Sequence, residues 1–229
     1  MSGTELLVHL AGGIALLLWA VRMVRTGLMR AFGGPLRRAL AAGGRSRLGA
    51  FAAGLGVTAL LQSSTATALI ISSFAGRRLI ALPVALAMML GAGIGSTVAA
   101  QVLAFDLSAF SPALIAIGVA AFMSSNADRV RHLGRISIGI GLLLLSLELI
   151  QAAAAPLRDS AGMSVVLHAL EGEPWLALLI AAALTWAAHA SLAMVLFIMS
   201  LAAVGTTSMP LALALILGAN VGTAITPLV

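Results

Sequence analysis

The 229-residue sequence has no cysteine, no tyrosine and no lysine, and only 9% of its residues are charged. Without cysteine there is no disulfide, thiolate metal site, iron–sulfur ligand or cysteine nucleophile. A soluble domain carries roughly 25% charged residues, so a chain this poor in charge and 61% hydrophobic cannot cover itself for water. It must be solvated by lipid, which excludes an ordinary soluble enzyme. All 13 basic residues are arginine and the formal net charge is +6. Nucleic acid is not the expected partner, because the arginines sit in short breaks between apolar runs rather than on a surface interleaved with aromatic side chains.

What is present is a succession of apolar runs. Leu6 to Val21 is apolar except for His9 and is followed by Arg22 and Arg25, the wrong side for a cleaved signal. From Arg22 to Arg47 there are seven arginines and no acid, which predicts a cytoplasmic loop and an N-terminus outside. The 29 uncharged residues from Leu48 to Gly76 exceed one crossing of roughly 20 residues but fall short of two. In their middle stands Gln62-Ser63-Ser64-Thr65-Ala66-Thr67, costly in hydrocarbon unless buried in protein or lining a cavity. With arginine on both flanks, the segment is expected to enter and return as a re-entrant hairpin. Leu79 to Phe105 then crosses outward with a second expected break at Gly91 to Thr97, and Leu107 to Ala127 crosses back. Ile136 to Ala155 crosses outward toward Arg158, Asp159, Glu171 and Glu173. The 56 residues from Pro174 contain no Asp, Glu, Lys or Arg and fit a second hairpin plus one more crossing.

The chain repeats itself. A shift of 127 positions pairs Gln62–Ala99 with His189–Thr226 at 14 identities in 38, and glycines and prolines align as well as Ala and Leu. By the charge rule one copy starts outside and the other inside, so the copies are inverted, the architecture of secondary transporters. The expected fold is all-α and polytopic, with two inverted-topology repeats each carrying a re-entrant hairpin and a broken helix. The first repeat is expected over 1–127 with its hairpin at 48–76. A cytoplasmic linker follows at 128–135, and the second repeat covers 136–229 with its hairpin at about 174–205. Repeat two stops seven residues after Gly222, so its last span is expected to be missing.

The Gln62-Ser63-Ser64-Thr65 string, the GAGIGST segment from Gly91 and its repeat GANVGTA from Gly218 together resemble the motif pair of the type II sodium-dependent phosphate cotransporters and their bacterial relatives. The resemblance implies a non-enzymatic secondary transporter in the cell inner membrane that moves inorganic phosphate with sodium. The resemblance requires no cofactor beyond the coupling ion. The side chains it implies for phosphate and sodium are Gln62, Ser63, Ser64, Thr65, Ser96, Thr97, His189, Ser191, Asn220 and Thr223. Gly91, Gly93, Gly95, Gly218 and Gly222 would let backbone approach the ligand. Hydroxyls and amides suit both ions, since phosphate takes hydrogen-bond donors and sodium takes oxygen ligands. Two positions depart from the family pattern: His189-Ala190-Ser191-Leu192 keeps one hydroxyl, and Gly93 stands where asparagine is expected. Rival readings are another small oxyanion, proton coupling through His189, a channel, or a non-transporting scaffold or sensor. The sequence leaves the oligomeric state open.

Overall fold

The computed structural model describes residues 3–43, 46–103, 107–157 and 169–225. Among these there is no strand. The helices follow one another as α1 Gly3–Gly43, α2 Arg47–Leu61, α3 Ser64–Gly76, α4 Leu82–Leu103, α5 Ser111–Ser124, α6 Asp128–Ala154, α7 Pro174–Ala188, α8 Ser191–Ala203 and α9 Met209–Ile225. Short 3-10 turns lie at Ser108–Phe110 and Ala155–Leu157, and residues 169–172 are helical. Arg158, Asp159 and the other residues of 158–168 lie outside the described residues, as do Asp106 and 226–229.

Among the described residues, three stretches are long and apolar enough to cross a membrane: Thr4–Ala42, Leu82–Val102 and Asp128–Ala154. Large apolar side chains stand open along the molecule, Trp175 at 75% and Leu48 at 78% exposure among them, a surface that hydrocarbon and not water would cover. This is an all-helical membrane protein.

The helices form two compact units. One comprises 22–105 and 116–138, the other 1–21, 106–115 and 139–229. In the first, Leu36 and Leu40 of α1 pack with Val57 and Leu61 of α2, Ile71 of α3 and Met88 of α4. In the second, Ala177 and Ala181 of α7, Leu192 and Leu196 of α8, and Leu211 and Ala219 of α9 are buried. Ser111 of α5 donates across to the Gly141 carbonyl of α6 at 2.8 Å in this same unit.

Four expectations are corrected. The arginine-rich stretch after Arg22 is no loop, since α1 continues through it to Gly43 with Pro35 inside. Arginine is a good helix former, and the Leu36 and Leu40 spacing gives that half of α1 a buried stripe. The proposed linker 128–135 is helical and forms the start of α6. The expected break at Gly91–Thr97 is absent, because α4 runs unbroken through it, as α9 does through Gly218–Thr223. In place of one uninterrupted run over 107–127 stand a 3-10 turn and the 14 residues of α5, which ends at Ser124.

Candidate functional site: two helix breaks built alike

The 127-residue shift holds in three dimensions. Moved by 127, Arg47–Leu61 becomes Pro174–Ala188 and Ser64–Gly76 becomes Ser191–Ala203, so α2 and α3 coincide in length with α7 and α8. Each pair is interrupted by two residues. The first of them is left-handed in both copies: Gln62 at φ 52°, ψ 32° and His189 at φ 52°, ψ 30°. Its backbone N–H closes the preceding helix, Gln62 donating to the Thr58 carbonyl at 2.8 Å and His189 to that of Thr185 at 2.9 Å. Glycine is the ordinary residue for such a C-terminal cap. A side chain there costs about 1–2 kcal/mol. A polar residue is held in that conformation at both breaks.

The next residue turns the chain extended and starts the following helix. Ser63 does this with its side chain, its Oγ accepting from the Ala66 N–H at 3.2 Å while Thr67 Oγ1 donates back to the Ser63 carbonyl at 3.2 Å. Ala190, at φ −143° and ψ 77°, stands at the same place and has no side-chain cap. Installing the missing oxygen as Ala190→Ser should raise stability by about 1 kcal/mol. Thermal unfolding of the purified variant, with Ser63→Ala as the reciprocal loss, checks this.

At each break the end of one helix meets the start of another. The last carbonyls of α2 carry partial negative charge, and the first amides of α3 partial positive charge. Ser63 satisfies the Ala66 amide, which leaves those of Ser64 and Thr65 for an acceptor outside the helix. Ser63 is buried and Gln62, Ser64 and Thr65 are half-buried. Gln62 Oε1 is buried with no hydrogen-bond partner.

Two residues that sequence reading missed complete the arrangement. Thr58 and Thr185, each one turn before its break, are fully buried at 0% and 1% exposure, and neither Oγ1 has a partner. They are identical under the 127 shift. That identity was the available signal, lost inside apolar runs.

The glycines serve packing. A Cβ on Gly91 would overlap the Phe51 carbonyl oxygen, and one on Gly95 that of Leu55 with Thr58 Cβ 2.9 Å away. Gly218 and Gly222 stand in the same relation to the Leu178 and Ala182 carbonyls, with Thr185 Cβ 3.0 Å from the position on Gly222. None is in a strained turn, since Gly205 is the positive-φ glycine among the described residues. The close approach that Gly91, Gly95, Gly218 and Gly222 permit is of helix to helix. Gly93 alone of the five has open space beside it.

The remaining candidates are placed one by one. Ser96 Oγ donates to the Gly93 carbonyl of its own helix at 2.8 Å, and Thr223 Oγ1 to that of Ala219 at 2.9 Å. Each follows directly a glycine packed on the threonine before its break. Thr97, His189 and Asn220 are exposed, and Ser191 is half-buried at the start of α8.

A family model described as Na+/Pi-cotransporter matches residues 16–152 and 157–229. A Salmonella typhimurium protein named "Putative inorganic phosphate export protein YjbB" is 46% identical over 216 residues, which cover 94% of this chain and 40% of that protein. The Escherichia coli protein of the same name is 45% identical over 216 residues, with the same 94% and 40% coverage. The Bacillus subtilis protein named "Uncharacterized protein YqeW" is 26% identical over 221 residues, 96% of this chain and 72% of that protein. The chain thus spans 40% of the length of the YjbB relatives it matches. No solved structure matches it. With the transporter-family model extending over nearly all of its helices, the chain belongs to the Na+/Pi-cotransporter family.

Proposed function

We propose that this protein translocates inorganic phosphate across the inner membrane coupled to sodium, with the two helix breaks as its solute-binding elements. The observation that carries the reading is the paired left-handed Gln62 and His189, polar residues where glycine would relieve strain, each one turn after a buried threonine hydroxyl without a partner. Such groups are retained when a ligand satisfies them. Phosphate suits the amide end of the break, where the first N–H groups of α3 and the hydroxyls of Ser64 and Thr65 donate. Sodium suits the carbonyl end, where Gln62 Oε1 and the Thr58 hydroxyl add oxygen ligands. The 15 residues of α2 and 13 of α3 make about 22 and 20 Å of helix, each short of roughly 30 Å of hydrocarbon. Those lengths support re-entrant segments whose polar break lies within the membrane.

The relatives' printed name speaks of export, and a sodium symporter moves phosphate whichever way the sodium gradient points. Vesicles containing the purified protein, given an imposed sodium gradient of either sign, test this. Phosphate flux following the sign of the gradient is expected, and flux without uphill accumulation would make the protein a channel. No flux of phosphate, sulfate or arsenate would leave a scaffold or sensor.

His189 is the side chain at either break with the chemistry of a proton relay. Replacing it by glutamine gives the second break the residue of the first. Sodium-driven phosphate flux is expected to persist in His189→Gln. Flux driven by a pH gradient in sodium-free buffer, and lost in that variant, would reassign the coupling ion to the proton.

A further inference from the structure

Away from the two breaks, the corner between α5 and α6 brings two guanidinium groups onto one aromatic ring. Arg131 Cζ lies 5.0 Å and Arg135 Cζ 5.6 Å from the centre of the Phe122 ring. The ring is fixed by a close backbone approach: a Cβ on Gly134 would meet the Gly118 carbonyl oxygen at 2.7 Å and the Phe122 nitrogen at 2.8 Å. Either arginine alone on the ring would be an ordinary cation–π pair. Two of them repel one another, and neither has an ion-pair partner among the described residues. Arg131 stands near the start of α6, where the positive end of the helix dipole is offset by Asp128 in the first turn, and the two guanidinium groups still outnumber that one acid. A cation-rich cradle of this kind is balanced by an anion, and a pair of forked guanidinium donors fits phosphate oxygens.

The surroundings select the anion. Met123 is 79% exposed, Leu133 47% and Val130 38%, so the arginine pair is flanked by open apolar side chains. It also lies at the charged end of α6, a helix long and apolar enough to cross the membrane. We propose that Arg131, Arg135 and Phe122 form a binding site for the phosphodiester headgroup of an anionic phospholipid, whose acyl chains lie against Met123, Val130 and Leu133. Free phosphate would use the guanidinium groups and leave the apolar rim without a partner. The site is independent of which solute the helix breaks carry.

The test is native mass spectrometry of the full chain in detergent, titrated with phosphatidylglycerol or phosphatidylcholine. Retained phosphatidylglycerol is expected, with affinity about tenfold weaker in Arg131→Gln/Arg135→Gln. The exposed pair Arg37→Gln/Arg38→Gln should bind as wild type does. Equal weakening in both double variants would reduce the effect to diffuse charge and overturn the site. Displacement of the lipid by excess inorganic phosphate would make it a free-anion site instead. A measurement on the unaltered protein guards against misfolding of the variants: photoactivatable phosphatidylglycerol should label peptides within 122–135, and labelling only elsewhere would refute the proposal.

Discussion

Gly91→Ala will lower the melting temperature by roughly 4–8 °C, while Gly56→Ala will leave it unchanged or raise it slightly. Both glycines lie inside helices, so alanine improves intrinsic helix propensity at each by about 1 kcal/mol. Their surroundings decide the sign. A methyl group on Gly91 would occupy the place of the Phe51 carbonyl oxygen, with the Leu55 nitrogen 2.9 Å away, and neither atom can turn aside as a side-chain tip could. Nothing lies within 4 Å of the same group on Gly56. Forcing α2 and α4 apart costs about 3 kcal/mol, and in a chain of this size each kcal/mol moves the midpoint by roughly 2–4 °C. Tryptophan fluorescence during heating in detergent reads both variants. Equal shifts would show that the seam between α2 and α4 is not as tight as described.

The second large effect separates backbone from side chain. Gln62→Gly should leave stability the same or higher by about 1 kcal/mol, because glycine adopts the left-handed conformation without a Cβ penalty. If Gln62 binds solute as proposed, phosphate flux should nevertheless fall at least about tenfold, since its amide is gone. Arg78→Gly is the matched control. Arg78 is also left-handed, at φ 56°, and the second copy already places Gly205 at the equivalent position, at φ 76°. That variant relieves the same kind of strain outside the break, and its flux should remain that of the wild type. Full flux in Gln62→Gly, measured at equal protein per vesicle, would mean that the left-handed glutamine only ends a helix.

Apolar-run length and polar interruption made the paired segments legible in advance. The stretch 48–76 is occupied by the successive helices α2 and α3, and the stretch at about 174–205 by α7 and α8. Both interruptions fall where Gln62 and His189 stand, because a polar cluster inside an uncharged run has no other cheap arrangement in lipid. Charge misled where it was treated as a mark of loops. Arginine continues a helix readily, and α1 keeps a buried face through Leu36 and Leu40. Glycine misled for the opposite reason: at Gly91 and Gly95 it breaks nothing and makes room for the backbone of another helix. Sequence spacing cannot tell a glycine that turns the chain from one that admits a neighbour. Thr58 stayed hidden because one hydroxyl in an apolar helix usually bonds to its own backbone, and only the fold shows that this one does not.

The seam between α2 and α4 also acts as a mechanical key. Gly54 of α2 admits the Met88 carbonyl, while Gly91 and Gly95 of α4 admit those of Phe51 and Leu55. Each helix therefore carries notches that receive the other's backbone. Sliding by one residue, or rolling about the axis, drives a side chain into a notch cut for none. The pair must travel as a single strut, and any flexing is thrown onto its ends, at the Gln62–Ser63 joint and the turn around Arg78. Gly218 and Gly222 cut the same notches for Leu178 and Ala182. The other strut is hinged in the same way, at His189–Ala190 and Gly205.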